Sequence, residues 1–173
     1  VGWWTVSGSG QFFQAQAGLL ELALERARPF MSEESETLVD DLRRVRLWHY
    51  PPLAVREALL NAFAHRDWTP PGEVEVVRYG DRLTVTSPGA LQNAMTVAKM
   101  LAGQRSARNP IIVEVLRDYG YVEHRGMGVR RRIVPLPRAF PGREAQFEAG
   151  GDFLGSALPA PAGGGGVGAE RET

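Results

Sequence analysis

The chain has 173 residues, no cysteine, and 20 basic against 20 acidic residues, so its formal net charge is zero. This length suits a single domain, and the lack of cysteine excludes disulfides and thiolate metal sites. Zero net charge argues against a surface that coats nucleic acid as a whole, but it allows local basic patches. No apolar run approaches the length of a membrane span and no signal peptide is recognisable, so we expect a cytoplasmic protein with no membrane partner.

The N-terminal 42 residues are predicted to be a helical extension that packs on the domain after it. A short strand end at residues 3–6 is followed by apolar residues at helical spacing over residues 11–28, and Pro29 should end that helix. The charged segment that follows predicts a loop leading into a short strand at residues 43–48.

A helix and a β-hairpin are predicted next. The helix should run from about Leu53 to His65, after prolines that a first helical turn tolerates. Two alternating runs, residues 73–79 and 82–86, flank Gly80-Asp81 and indicate a hairpin. The sequence Ser-Pro-Gly at residues 87–89 should then end the second strand.

Two more helices and two strands complete the pattern. Asn93 is a candidate cap for a helix that reaches Leu101, and Asn109 precedes a second helix that should stop at Gly120. The segment "AQFEAGGDFLGSAL" predicts two terminal strands.

Mixed helices and antiparallel strands indicate the α+β class, with a sheet covered by helices on one face. We assign residues 43–158 to this domain. Residues 159–173 are too poor in apolar side chains to fold, and we expect a flexible low-complexity tail there.

The segment "REALLNAFAHRDW" (residues 56–68) carries the most specific chemistry. Glu57 and Asn61 lie four residues apart and therefore on one face of the predicted helix. Carboxylate and amide oxygens suit Mg²⁺, and a carboxylate can activate a water molecule. The alternative is that Asn61 is a buried amide that ties the helix to the sheet. For His65 we favour a structural role near the negative end of the helix.

This segment resembles the N-box helix of the GHKL ATPases, which has a glutamate, three spacers and an asparagine. The longer run "YPPLAVREALLNAFAHRDW … DRLTVTSPGAL … GQRSARNPIIVEVLRDYGYVEHRGMGVRRRI" resembles a bacterial family labelled "ATP-dependent DNA helicase RecG-related C-terminal", also associated with Schlafen-AlbA transcriptional regulators. The resemblance implies a Bergerat-like two-layer sandwich with a largely antiparallel sheet and helices on one face. No Walker A sequence is found, so helicase activity is not expected.

The resemblance also implies roles for individual residues, with ATP and Mg²⁺ as cofactors of a weak ATPase. Asn61 would coordinate magnesium and Glu57 would polarise the attacking water. Gly126 and Gly128 match the second glycine box, whose backbone approaches phosphate. The remaining candidates for cofactor binding are Gly89, Arg108 and Asn109, although Asn109 equally suits a capping role.

One part of the pattern departs from the family. Where the first glycine box has the aspartate that recognises adenine, the chain has Ser87-Pro88-Gly89-Ala90-Leu91, with one glycine and no acid. The resemblance therefore predicts a degenerate nucleotide site.

A different class of function stays open beside the nucleotide site. The segment "NPIIVEVLRDYGYVEHRGMGVRRRIV" also resembles a winged-helix unit, in which Arg130, Arg131 and Arg132 would contact DNA phosphates. The domain would then be a non-catalytic scaffold for DNA binding or homo-oligomerisation. By resemblance, the whole protein would contact DNA mainly through an upstream AlbA-like domain.

Overall fold

The computed structural model describes residues 2–6, 18–39, 43–92, 94–104, 106–122, 129, 133–135 and 144–160. Within these ranges the α-helices are α1 (Leu19–Met31), α2 (Pro52–His65), α3 (Val97–Leu101) and α4 (Pro110–Asp118). The strands within the same ranges are β1 (Gly2–Val6), β2 (Ser32–Val39), β3 (Arg43–Trp48), β4 (Val74–Arg78), β5 (Arg82–Pro88), β6 (Gln146–Ala149) and β7 (Phe153–Pro159).

The strands form one large and one small antiparallel sheet. The large sheet has the order β1-β4-β5-β7-β6, and every neighbouring pair in it is antiparallel. The small sheet is the β2-β3 hairpin. Helix α2 packs on β5 and β7, and α1 packs on α2. The predicted α+β sandwich with a largely antiparallel sheet is confirmed.

The core lies between α2 and one face of the large sheet. Because side chains alternate along a strand, Val74 and Val76 of β4 share this face with Leu83 and Val85 of β5, and all four are buried. Leu158 of β7, opposite Leu83, extends the same apolar surface. Helix α1 adds four buried residues, Leu20, Ala23, Ala27 and Met31, to this core.

Helix α2 is buried on most of its circumference. Proline stands at its first position, where the missing N–H costs nothing, and eight of its residues are buried: Ala54, Val55, Ala58, Leu59, Leu60, Ala62, Phe63 and Ala64. The polar residues Glu57, Asn61 and His65 recur every four positions, so they form one half-buried stripe along the helix. The stripe faces a cavity.

Two N-terminal predictions were wrong. Pro29 lies inside α1, which continues to the buried Met31; only the last turn is affected by the missing donor, and packing of Met31 in the core favours the continuation. The charged segment predicted to be a loop contains β2, in which Glu34 pairs in register with Arg46 of β3. Acidic residues are depleted in strands, so local propensity does not indicate this one.

Two boundaries near the site also differ from the prediction. Strand β5 continues through Ser87 to Pro88, where it pairs with β7 alone; proline is tolerated at such a strand end because no donor is needed on that side. Helix α3 is capped by Thr96, whose hydroxyl oxygen accepts from the Lys99 N–H at 3.2 Å. The predicted cap, Asn93, lies outside the described residues.

Candidate functional site

A cavity of about 270 Å³ lies between α2 and the large sheet. Val85 and Ser87 of β5, together with Leu154 and Ser156 of β7, form its floor. The polar stripe of α2 lines one wall. The opposite wall comes from Met100, Gly103, Gln104, Ser106 and Ala107, and from α4 with the turn after it. Apolar side chains with a few convergent polar groups are the usual lining of a small-molecule site.

Glu57 and Asn61 both line the cavity and are hydrogen-bonded to each other. The Asn61 side-chain nitrogen donates to the Glu57 carboxylate at 2.9 Å and to the Glu57 backbone carbonyl at 2.8 Å. With its amino group held against Glu57, the amide presents its oxygen in another direction, and oxygen is the atom that a magnesium ion requires. The two residues therefore lie on one face of the helix, as their spacing predicts.

His65 also lines the cavity, and it is the last residue of α2. Burial lowers the pKa of its imidazole, and the nearby Arg108 guanidinium lowers it further. The helix dipole would favour a charged histidine here, but desolvation dominates. His65 is therefore a neutral group that can donate one hydrogen bond and accept another.

Three predicted binding residues, Gly89, Arg108 and Asn109, are not among the residues that line the cavity. Arg108 donates to Asp67 at 2.8 Å and to the Ala90 carbonyl at 2.7 Å. Gly89 has a φ of +112°, and a Cβ there would lie 2.9 Å from the backbone nitrogen of Asp67. These contacts join the end of β5 to the segment after α2.

Asn109 belongs to the same structural junction. Its side-chain nitrogen donates to the carbonyls of Ala64 and Arg66, at 3.0 and 2.8 Å. It occupies the N-cap position of α4 without making a side-chain cap bond. The asparagine therefore satisfies free carbonyls at the end of α2, a role that neither sequence interpretation included.

The loop that enters the hairpin is braced by two charged residues, Arg66 and Asp67. Arg66 donates to the Gly72 carbonyl, and its guanidinium lies 4.4 Å from the centre of the Trp68 ring. Asp67 accepts from the Thr69 backbone N–H at 3.0 Å. That bond, with further contributions from the Thr69 hydroxyl and Arg108, holds the pKa of Asp67 below its ordinary value.

Ser87 is one of two serines at the cavity floor, and it stands where the GHKL pattern has an acid. It is fully buried, and its hydroxyl lies 3.5 Å from the Leu154 carbonyl oxygen, a long hydrogen bond. A neutral hydroxyl at this point can both donate and accept.

Among the cavity-wall residues that the sequence analysis did not single out are Arg56, Arg117 and Tyr121. The Arg56 guanidinium lies 5.7 Å from the centre of the Tyr121 ring. Arg56 could have been recognised because it directly precedes Glu57, but the sequence around Arg117 reads only as an amphipathic helix. The predicted residues Gly126, Gly128, Arg130, Arg131 and Arg132 lie outside the described residues.

Among the described ranges, no group of three or more histidine, aspartate or glutamate side chains is placed to hold a metal ion. A magnesium ion at Asn61 would need further oxygen ligands from a bound phosphate and water, which is how proteins usually bind this ion. No helix within the same ranges has the length and apolar character needed to cross a bilayer.

Comparisons with known proteins agree with this fold. Residues 72–155 match the HATPase_c_4 family model, described as "Putative ATP-dependent DNA helicase recG C-terminal". Among solved structures, the crystal structure of the DIP2311 protein from Corynebacterium diphtheriae is similar, with a TM-score of 0.64 and 31% sequence identity. The similarity covers 83% of this chain but 28% of that one, so the chain spans a minor part of that protein's length. No curated protein matches.

The matched range contains β4, β5, α3, α4 and β6, and it ends within β7. Helix α2, which carries Glu57 and Asn61, lies before it, and its place against β5 and β7 comes from the fold itself. Over residues 72–155 the chain is thus similar to the HATPase-like, RecG-related family.

Proposed function

We propose that the domain binds a nucleoside triphosphate together with Mg²⁺ in the cavity between α2 and the sheet. The observation that carries this proposal is the hydrogen-bonded pair of Glu57 and Asn61 in the cavity wall. The volume of about 270 Å³ is close to the lower end of the range for ligand pockets, roughly 300 to 1,000 Å³. The match to a HATPase-like family supports the same ligand class.

The side chains that line the cavity have different roles in this proposal. Asn61 would offer its amide oxygen to the metal ion, while Glu57 both fixes the amide and presents a carboxylate to a water molecule. Magnesium, when bound, supplies positive charge to the phosphate oxygens. The buried apolar side chains of the floor would exclude bulk water from the nucleobase of the ligand. Ser87 would offer the nucleobase a neutral hydrogen-bonding group.

Titration of the purified protein with ATP by calorimetry, in the presence and absence of Mg²⁺, tests the proposal. We expect saturable binding that strengthens with Mg²⁺, and an Asn61→Ala variant that loses about tenfold or more in affinity, or ~1.4 kcal/mol. A Gln146→Ala variant, altered at an exposed position outside the cavity, should bind as the wild type does. Absence of binding at millimolar nucleotide, or equal binding by Asn61→Ala, would contradict the proposal.

The wider role that we propose is regulatory, within a larger transcriptional regulator or DNA-metabolism protein. The description of the matched family names a DNA helicase, and the chain spans only 28% of DIP2311. A separate domain of the whole protein would then make most of the DNA contacts. Duplex binding by the full-length protein, compared with binding by this domain across a range of salt, tests this division; equally tight binding by the domain alone would oppose it.

A further inference from the structure

We propose that Arg117 and Arg56 form an anion-binding end of the cavity that holds the terminal phosphates of the nucleotide. The inference rests on the proposed function for the identity of the ligand. Beyond that function, the inference specifies the end of the cavity that receives the phosphates and the side chains that bind them.

Arg117 is the first ground for the inference. It lies in the last turn of α4 and lines the cavity. Its Nε atom is buried and has no hydrogen-bond partner. A guanidinium that no acceptor of the protein engages at Nε keeps its charge available to an anion in the cavity that it lines.

Two other described arginines, Arg66 and Arg108, also have a buried Nε without a partner. Their terminal nitrogens, however, are bonded within the protein, to the Gly72 carbonyl in the first case and to Asp67 and Ala90 in the second. Neither arginine lines the cavity. Of these three guanidinium groups, Arg117 is therefore the one placed to meet a ligand.

Arg56 brings a second positive charge to the same end of the cavity. Its guanidinium lies over the ring of Tyr121, 5.7 Å from the ring centre. Tyr121 follows α4 closely, and its backbone N–H donates to the Leu116 carbonyl at 2.8 Å. The start of α2 and the end of α4 are thus adjacent, with Arg56 and Arg117 in the wall between them.

The described residues that line the opposite end of the cavity carry no formal charge. There the end of α2 meets the start of α4 through Asn109, so the two helices run antiparallel along the cavity. His65, whose pKa is lowered, and Ser87 line this end. Arg56 and His65 are separated by about 13 Å along the helix at roughly 1.5 Å per residue. Glu57 and Asn61 lie between them.

This distribution of charge orients the ligand. Glu57 is the one acidic side chain among the described lining residues, against the two arginines. Arginine binds phosphate through paired N–H donors. The terminal phosphates would therefore lie toward Arg56 and Arg117, with the base toward Ser87 and His65.

Calorimetric titrations of the wild type and Arg117→Ala with Mg-ATP, AMP and inorganic tripolyphosphate test the inference. Arg117→Ala should weaken binding of ATP and tripolyphosphate by about tenfold or more and leave AMP binding within about threefold of the wild type. Arg117→Gln, a second variant that keeps a polar side chain, should show the same pattern. Arg82→Ala removes an equal charge at an exposed hairpin position and should change none of the three.

Each other result has a definite meaning. Unchanged ATP and tripolyphosphate binding by both Arg117 variants overturns the inference, and if Asn61→Ala still weakens Mg-ATP the proposed function survives. Equal loss of AMP and ATP also overturns it, because the effect is then not on the terminal phosphates. A wild type that binds tripolyphosphate through Arg117 but no nucleotide keeps the anion site and refutes the nucleotide function. Binding of none of the three ligands refutes both.

Discussion

Glu57 and Asn61 are joined by a hydrogen bond of 2.9 Å between the amide nitrogen of one and the carboxylate of the other, one turn apart on α2. The bond fixes the orientation of both side chains at the cavity wall. It also separates two roles, because the amide oxygen suits a metal ion and the carboxylate suits a water molecule. The first prediction removes only the second role.

Glu57→Gln should retain Mg-ATP binding and lose phosphate release. Glutamine keeps an oxygen that accepts from the Asn61 amide but cannot accept a proton from water. General-base catalysis contributes about 10² to 10⁴ in rate, so we expect at least ~100-fold slower phosphate release at saturating Mg-ATP, measured by a phosphate-release assay. Glu75→Gln, at an exposed position of β4, is the matched control. Equal rates for wild type and Glu57→Gln would exclude Glu57 as the base.

Gly89→Ala should destabilise the fold. The residue has a φ of +112°, and its new Cβ would lie 2.9 Å from both the nitrogen and the Cβ of Asp67. A strained backbone conformation costs about 1–3 kcal/mol, and we expect a loss of that order in the free energy of unfolding, measured with urea. Gly80→Ala is the control, because a Cβ there meets no atom within 4 Å. Equal stabilities for the two variants would show that the junction of β5 with Asp67 is not tightly packed.

Stability should fall as the pH is lowered through the range below His65's ordinary pKa of 6.5. Burial lowers the pKa of this imidazole in the folded protein, so the unfolded chain binds more protons between the folded-state pKa and 6.5. The contribution of His65 to the free energy of unfolding is therefore fully present above that range and is lost as the pH falls through it. In a denaturation series across pH, the free energy of unfolding of His65→Gln should no longer fall over this range. Its fall below pH 3.8 should persist, because Asp67, whose folded-state pKa is lowered, titrates there. An unchanged slope between neutral pH and pH 5 would contradict the assignment.

The sequence predicted elements well where the pattern is local. The alternating runs around Gly80 gave the β4-β5 hairpin, and the helix ending at His65 was located to within one residue at its start. Prediction was wrong where tertiary contacts override local preference. Pro29 stays helical because Met31 packs in the core, and the acidic segment of β2 pairs with β3.

In the candidate site, too, residues with a local sequence pattern were predicted and residues placed by tertiary contacts were not. Glu57 and Asn61 were found because their spacing is itself the signal. Arg117 was missed because it reaches the cavity only through the antiparallel packing of α4 along α2, which the Asn109 contacts fix. The sequence predicted a ligand contact for Arg108, and either a ligand contact or helix capping for Asn109. In the structure the partners of both residues lie more than 15 residues away in the chain, which local patterns do not reveal.

Tyr121→Phe should loosen the attachment of α1 to the cavity wall. The Tyr121 hydroxyl is hydrogen-bonded to Glu21 of α1, and the other carboxylate oxygen of Glu21 is buried without a partner. Removal of the hydroxyl leaves the carboxylate without this bond, which should lower the free energy of unfolding by about 1–3 kcal/mol. The Arg56 guanidinium should keep its contact with the phenylalanine ring, since that contact uses the ring face.

Tyr119→Phe is the matched control for this change. Tyr119 lies near Tyr121, with ring centres 6.5 Å apart, but it is 76% exposed, and loss of its hydroxyl should change stability by less than about 0.5 kcal/mol. Urea denaturation of both variants measures the difference, and hydrogen exchange of the α1 amides locates it. If Tyr121→Phe destabilises the protein with no faster exchange in α1, the hydroxyl acts within the cavity wall and does not hold the helix. If neither variant differs from the wild type, the bond to Glu21 contributes nothing to the fold.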